Sequence, residues 1–219
     1  MLAIQFSVAL GIMAGVVQLL GYWLYHKKAG GKVNTGSWLI WALGGSVDLA
    51  SYFVLSGGDW IINILPIVCT LAALSTFVFC LVQRRFGWPD KTDWLFVGVD
   101  GVVTVVWYFT NAVTANLLYQ VSTVLSFIPM YRGQLSGREK EEPLPWLVWA
   151  LAYTLLIASV SLRSGRWEEL MYPITHVIVH LLVVLFALVK KQSRGPRAHP
   201  RGPFCFPLIC GIIATPRRI

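Results

Sequence analysis

The hydrophobic pattern of this chain consists of long apolar segments separated by short polar ones. Apolar runs of roughly 18 or more residues are typical of helices that cross a bilayer. Seven such segments are predicted, at residues 2–25, 37–56, 60–82, 94–111, 114–131, 145–163 and 168–190. The pattern therefore predicts an all-α, polytopic membrane protein with seven transmembrane helices.

The fourth and fifth segments form one nearly continuous apolar stretch, residues 94–131. As a single helix it would be roughly 57 Å long, nearly twice the thickness of the hydrocarbon core. Polar residues interrupt it at Thr110, Asn111, Thr114 and Asn116. Two helices are therefore expected, with the break between residues 111 and 114.

One stretch of the sequence occurs twice. Residues 37–57 read SWLIWALGGSVDLASYFVLSG, and residues 145–165 read PWLVWALAYTLLIASVSLRSG. The aligned pairs include Trp38 with Trp146, Trp41 with Trp149, Ser51 with Ser159 and Gly57 with Gly165. This indicates an internal duplication. Each copy is expected to contain three helices, with the fourth helix restoring the direction so that the two copies run parallel.

The duplication divides the chain into four predicted regions. These are a first three-helix repeat at 1–83, a loop and linker helix at 84–112, a second three-helix repeat at 113–191 and a basic tail at 192–219. The Pro- and Gly-rich start of the tail is not expected to form a packed element. The first segment has no basic region before it and no small-residue cleavage site after it. It is therefore expected to be a retained helix and not a signal peptide.

The basic residues test the number of spans. The chain has 18 Lys and Arg, 10 Asp and Glu, and a formal net charge of +8. With seven spans and the N-terminus outside, every Lys and Arg except Arg163 and Arg166 lies on the cytoplasmic side, as the positive-inside rule requires. A six-span model with one long fourth helix would lose this pattern. The basicity is thus explained by topology and by attraction to anionic lipid, and nucleic acid is not expected as a partner.

The 3+1+3 helix plan resembles the SWEET and PQ-loop (MtN3-like) superfamily over about residues 5–190. The tryptophan-rich second helix of each repeat and the prolines in each third helix carry the resemblance, and LSFIPMYRG followed by EEPLPWLVWALAY is similar to an uncharacterised bacterial branch. The resemblance implies a transporter whose two parallel three-helix units rock around a central site. The chain has no Pro-Gln dipeptide, and Pro-Ile stands where SWEETs typically carry Pro-Asn. The sugar-binding asparagines of that family therefore have no counterpart here.

Polar side chains inside the predicted helices are the candidate functional residues, because each is costly in hydrocarbon. Asp48 lies near the middle of its helix on a stripe with Trp38, Trp41, Gly45 and Tyr52. The predicted substrate or proton-pathway residues are Asp48, Asp100, His176, His180, Trp41, Trp149, Asn63 and Asn116. The predicted hinges or helix breaks are Pro66, Pro129 and Pro173.

Structural interpretations of these residues remain open. Trp38, Trp60, Trp146 and Trp167 lie near helix ends and could be interfacial anchors. Asn and Gln side chains could hydrogen-bond between helices, and small residues such as Gly44 could serve helix packing.

The repeat alignment adds a distinction, because the copies differ at their most polar interior positions. The pairs are Asp48 with Leu156, His176 with Cys69, and His180 with Ala73. This divergence favours either an asymmetric substrate site or a proton step that involves a carboxyl group and a histidine.

The predicted function is transport of a small polar solute (a sugar, vitamin or amino-acid-like molecule) across the cell membrane by alternating access, with proton coupling left open. The alternative is a receptor or sorting protein of the same fold that binds its ligand without translocating it. An enzyme is not expected, since HExxH, Ser-His-Asp and phosphate-loop patterns are absent and the histidine pair lacks a third ligand. No metal or cofactor is therefore predicted. The expected partners are the lipid bilayer and the solute, and self-association is left open.

Overall fold

A computed structural model describes residues 2–28, 35–82, 91–136 and 141–193 of the chain. The described residues form eight helical segments and no strand. These are α1 (Leu2–Lys28), α2 (Thr35–Leu55), α3 (Trp60–Val82), α4 (Lys91–Phe109), α5 (Ala112–Ser126), α6 (Ile128–Ser136), α7 (Pro143–Arg163) and α8 (Trp167–Ser193). Most of the basic loop residues and positions 194–219 of the predicted tail lie outside the described residues.

Within the described ranges, six helices are long and apolar enough to cross a membrane. They are α1, α2, α3, α5 together with α6, α7 and α8. Large apolar side chains such as Leu71, Leu151 and Leu185 are exposed on the outside, whereas Ser7, Ser159 and Asn116 are completely buried. An apolar exterior around a polar interior is the arrangement that a bilayer favours. The chain is a multi-pass membrane protein.

The fourth helix departs from the predicted seven spans. Its apolar part, Trp94–Phe109, is shorter than 18 residues. At about 1.5 Å per residue such a helix is less than ~27 Å long, while the hydrocarbon core is about 30 Å thick. By length and composition, the described residues therefore supply six spanning helices, and α4 is the exception.

The predicted helix at 114–131 differs in its ends and is interrupted. It begins at Ala112, where Asn111 caps it by accepting a hydrogen bond from the Thr114 N–H at 3.0 Å. The break at Phe127 separates α5 from α6. Pro129 lies in the first turn of α6, where its missing N–H disrupts no intrahelical hydrogen bond.

The other two predicted helix breaks have a different setting. Pro66 lies inside α3 and Pro173 inside α8, and both helices continue through them. Each proline is in the second turn of its helix, where the lost hydrogen bond lies close to the helix start. Neither proline ends its helix, and a hinge role for them stays a prediction.

In chain order, three helices precede α4 and four helical segments follow it. In the first helix group (α1–α3), α3 packs on both α1 and α2. In the second helix group (α5–α8), α8 packs on α7 and on α5 and α6. The groups meet where α1 packs on α7 and α2 on α5, and α4 packs on the outside against α5 and α2.

Glycines allow α1 to approach its neighbours closely. A Cβ at Gly11 would lie 2.7 Å from Cγ2 of Ile61, and one at Gly15 would lie 2.5 Å from Cγ2 of Ile64. Gly21 faces α7 instead, where a Cβ would overlap the indole of Trp149. Close backbone approach through small residues is how helices associate tightly within a bilayer.

Two repeated glycines end equivalent helices. Gly57 follows α2 with a φ of 63°, and Gly165 follows α7 with a φ of 61°. This left-handed conformation favours glycine because a side chain would be strained there. The repetition of glycine at these two positions thus has a backbone explanation.

Candidate functional site

A cavity of about 70 Å³ lies between the two helix groups. Side chains from α1, α2, α3, α5, α7 and α8 line it, together with Phe127. Five of the predicted site residues are in its wall, namely Asp48, Trp41, Trp149, His176 and His180. Since a water molecule needs at least about 10–15 Å³, the cavity has room for several waters or for one small solute.

Tryptophans from both groups form much of the wall. The rings of Trp38 and Trp41 are 5.0 Å apart and nearly perpendicular, and those of Trp146 and Trp149 are 4.8 Å apart in the same arrangement. The Trp41 indole N–H donates to Oγ of Ser126 at 3.2 Å. The Trp149 N–H donates to the backbone oxygen of Gln18 at 3.3 Å. These contacts across the interface fix the orientation of both rings.

Asp48 is the buried carboxylate of the cavity. Its Oδ1 accepts hydrogen bonds from the side-chain amides of Asn116 and Gln120 on α5, each at 3.1 Å. Among the described residues, none donates to its second oxygen, Oδ2. The described lining of the cavity also contains no Lys or Arg. The carboxylate is therefore hydrogen-bonded on one oxygen and has no positive partner.

Asp100 lies beside this site, outside the cavity wall. It is buried on α4, where its Oδ1 accepts a short hydrogen bond from Ser122 of α5. Its other oxygen contacts α2, since a Cβ at Gly44 would lie 2.5 Å from it. Asp100, Ser122 and the amides that hold Asp48 thus form a polar layer between α2, α4 and α5. Gly44 serves the close contact of α2 with this layer.

The two histidines are held by their own helix. Nδ1 of His176 is 2.9 Å from the backbone oxygen of Tyr172, and Nδ1 of His180 is 2.5 Å from that of His176. Because a carbonyl oxygen can only accept, each Nδ1 carries a hydrogen. In the neutral ring, Nε2 is then an acceptor. The ring of Tyr153 stacks on both histidines, with centroid distances of 4.5 and 5.3 Å.

The remaining predicted residues lie elsewhere. Asn116 contacts Asp48 directly, as described above, although it does not line the cavity. Asn63 lies at the α2–α3 turn, where its amide donates to Oγ of Ser56 and to the backbone oxygen of Asp59, both at 2.7 Å. This places Asn63 at the end of the helix group and away from the cavity.

Polar cross-links join the two groups at the end of the molecule that contains the α2–α3 and α7–α8 turns. Arg163 forms an ion pair with Asp59, and a guanidinium N–H of Arg166 donates to the backbone oxygen of Leu55 at 3.5 Å. Deeper in, the Tyr52 hydroxyl donates to the backbone oxygen of Glu169 at 3.0 Å. The ring of Tyr52 also packs on Tyr172, which lines the cavity, at 4.7 Å. These contacts lie on one side of the cavity.

Tyrosines were missed by the sequence analysis. The hydroxyl of Tyr22 donates to the backbone oxygen of Cys69 at 3.2 Å, and that of Tyr153 donates to its sulfur at 3.3 Å. Tyr172 lies 3.4 Å from Tyr153, oxygen to oxygen. The signal was the placement of Tyr153 in the middle of an apolar helix, where a hydroxyl needs a partner.

The four tryptophans near helix ends also separate into two kinds. Trp38 and Trp146 are buried in the cavity wall, and the Trp146 N–H donates to the side chain of Glu141 at 3.0 Å. Trp60 and Trp167 are 66% and 56% exposed, as interfacial anchors would be. Sequence position alone does not distinguish these two kinds.

The arrangement suits ligand binding. Within the described residues, no group of three or more His, Cys, Asp and Glu side chains could hold a metal ion. Comparison of the chain with protein-family models, with curated proteins and with solved structures gives no match. The site is therefore interpreted from its own geometry, which is a small aromatic cavity with one carboxylate and two imidazoles.

Proposed function

We propose that this protein is a transporter of the cell membrane that passes a small polar solute between two three-helix units by alternating access. The observation that carries the proposal is the cavity between the two helix groups, with a buried carboxyl group in its wall. Transporters with internal repeats bind their substrates near the bilayer midplane, at the interface of the repeats. Asp48, in the middle of α2, is in the corresponding place.

The packing of the helices supports a parallel repeat. In each group the third helix packs on the other two, as α3 does on α1 and α2, and as α8 does on α7 and on α5 with α6. Between the groups, the first helix of one packs on the second helix of the other, in the pairs α1 with α7 and α2 with α5. Exchanging the groups leaves these contacts unchanged. A two-fold relation of this kind is expected of a SWEET- or PQ-loop-like architecture.

Individual hydrogen bonds follow the same relation. Trp41 and Trp149 are as far apart in the sequence as Gln18 and Ser126 are. Exchanging the two groups therefore maps the hydrogen bond between Trp41 and Ser126 onto the one between Trp149 and Gln18. The cross-links at the turns agree with this relation. The repeat alignment matches Leu55 with Arg163 and Asp59 with Arg166.

In the structure, Arg163 pairs with Asp59, and Arg166 lies 3.5 Å from the backbone oxygen of Leu55. Each contact thus joins one member of the first matched pair to one member of the second.

A central cavity with cross-links at one end is consistent with one state of an alternating-access cycle. With the N-terminus outside, the two turns face the exterior, and the cross-links around Tyr52 join the two groups at the outer end. The basic residues of the loops and tail then lie on the cytoplasmic side. Rocking of the two groups about the cavity would separate Arg163 from Asp59 and open the outer end.

The test is solute uptake into proteoliposomes that contain the purified full-length protein. Radiolabelled glucose, thiamine, alanine and propylammonium serve as probes, with and without a pH gradient to separate proton-coupled from facilitated transport. We expect uptake of at least one probe, and we expect Asp48→Asn and His180→Ala each to reduce it without preventing membrane insertion. Glu168→Gln, which removes a carboxylate at the start of α8, is the matched control and is expected to leave uptake unchanged.

The outcomes of this assay separate the two functional classes. A receptor or sorting protein would bind a probe at a fixed stoichiometry without accumulating it in the vesicles, and that result would replace the transporter proposal. Wild-type uptake by both Asp48→Asn and His180→Ala would contradict the assignment of the cavity as the transport site.

A further inference from the structure

We infer that the ligand of the cavity is a small organic cation that carries N–H donors and no carboxylate, such as an alkylammonium or guanidinium ion. The inference deepens the proposed function by naming a ligand class for the same site. It rests on that proposal only for the passage of the ligand, because binding by itself is a separate property.

The charge of Asp48 is the first argument. A carboxylate removed from water requires a positive partner or a full set of hydrogen bonds, because its desolvation is otherwise uncompensated. Asn116 and Gln120 satisfy Oδ1 only. A buried carboxyl group without such partners becomes neutral by binding a proton. Since no Lys or Arg occurs in the described lining, a cationic ligand is what would hold Asp48 in its charged form. The carboxylate then supplies both charge and a free acceptor, Oδ2.

The orientation of the neighbouring amides strengthens this argument. With their N–H groups on Asp48, Asn116 and Gln120 leave their own oxygens buried without a partner. With Asp48 charged, exchanging oxygen and nitrogen in either amide would place an amide oxygen against the carboxylate, which is repulsive. The orientation of both amides therefore fits the charged form of Asp48. Gln18, which lines the cavity, likewise leaves its Oε1 buried and unpartnered.

The hydrogen-bonding capacity of the wall is the second argument. Most of its donors already have protein acceptors, namely those of Trp41, Trp149, Thr70, Tyr22 and Tyr153. Among the described residues, none donates to Oδ2 of Asp48 or to Nε2 of either histidine. A ligand that donates several hydrogen bonds can use these acceptors.

The aromatic rings are the third argument. Four tryptophans and three tyrosines line the cavity, and the face of an aromatic ring attracts a cation. A carboxylate on the ligand would meet these faces, Asp48 and no positive side chain. Amino acids and organic acids are therefore disfavoured. The volume of about 70 Å³ restricts the ligand to a few heavy atoms.

The test is direct binding to the purified full-length protein in detergent, measured by isothermal titration and by quenching of tryptophan fluorescence. Two pairs of probes are used, and the members of each pair have nearly the same shape and differ in charge. Propylammonium is compared with neutral 1-propanol, and guanidinium is compared with neutral urea. A third probe, 4-aminobutyrate, adds a carboxylate to an alkylammonium. We expect at least one cation to bind about tenfold or more tightly than its neutral partner and than 4-aminobutyrate, as for hydrogen bonds to charged groups.

The variant Asp48→Asn tests the role of the charge. Asparagine keeps an oxygen acceptor for Asn116 and Gln120, so the polar layer can persist, and a single symmetric peak in size-exclusion chromatography checks that it does. We expect the affinity for the cation to fall about tenfold or more. Glu168→Gln is expected to bind as the wild type does. Cation affinity in Asp48→Asn within about threefold of wild type would overturn the inference.

The wild-type protein alone also decides the question. Binding of 1-propanol or urea as tight as that of the cations would overturn the inference, as would failure of both cations to bind. Cation binding without uptake into proteoliposomes would support the ligand class and contradict transport. Uptake of glucose without cation binding would support transport and contradict the ligand class.

Discussion

The two helix groups share the tryptophans that bond across their interface and differ in the polar residues of the site. Trp41 and Trp149 donate hydrogen bonds to equivalent positions across the interface. In the polar residues, by contrast, the groups differ. The sequence alignment matches Asp48 in the cavity wall with Leu156, which does not line the cavity, and Cys69 with His176, which both line it. The two groups thus contribute unequal chemistry to one site.

The surroundings explain why only one copy carries the aspartate. Asn116 and Gln120 on α5 donate to Asp48. Their counterparts on α1 are found by applying the sequence distance between Trp41 and Trp149. They are Val8 and Ile12, whose side chains have no hydrogen-bond donor. Leu156 is itself fully buried in an apolar cluster. Whether a position can hold a buried carboxylate therefore depends on the donors of the helix packed against it as much as on the position itself.

The variant Leu156→Asp is expected to have the largest effect, because it creates a second buried carboxylate without donors. An uncompensated buried charge costs about 3–5 kcal/mol, which is comparable to the whole stability of many domains. We expect loss of monodisperse protein in fluorescence-detected size-exclusion chromatography. Leu156→Met, which conserves volume, is the control. Monodisperse Leu156→Asp with wild-type thermal stability would show that the two copies accept charge equally.

The variant Gly21→Ala tests the contact of α1 with α7. The new Cβ would overlap the Trp149 ring, and overpacking of this kind costs about 1–3 kcal/mol. A thermal unfolding midpoint lowered by about 2–4 °C per kcal/mol is expected. Gly101→Ala is the matched control, since a Cβ on that glycine of α4 meets nothing within 4 Å. Equal midpoints for the two variants would mean that the close contact has no energetic weight.

The pair Trp41→Phe and Trp149→Phe tests the equivalence of the two groups with a smaller effect. Each change removes one hydrogen bond across the interface and keeps a ring, so each should lower stability by about 0.5–1.5 kcal/mol. The two losses of thermal stability should agree. Trp60→Phe, at an exposed position, should leave the midpoint unchanged. A loss confined to one of the two interface variants would indicate that the groups are held together unequally.

Much of the fold could be predicted from hydropathy, because apolar length decides which segments form spanning helices. The prediction was close for α3, expected at 60–82 and found at Trp60–Val82. It was less accurate where local chemistry alters a helix. The break at Phe127 interrupts an apolar pattern that continues through it, and α4 is too short in its apolar part.

The site was predictable in part for a similar reason. Asp48 and the two histidines are conspicuous as polar residues in apolar helices, and all three line the cavity. Which residues meet across the interface depends on tertiary packing, as in the contact of Asp48 with Asn116, which are 68 positions apart. The tyrosines illustrate the same limit, because a tyrosine suits a membrane interface as well as a cavity.

The short fourth helix has a consequence for the surrounding lipid. α4 packs on the outside of the molecule and exposes Leu95, Val102 and Val105. A hydrophobic stretch shorter than the local acyl thickness causes the bilayer to thin beside it. Tyr108 and Phe109, both exposed at the end of α4, suit the aromatic belt at such a thinned boundary. Lipids with shorter acyl chains are therefore expected to collect along this face, next to the polar layer that holds Asp48.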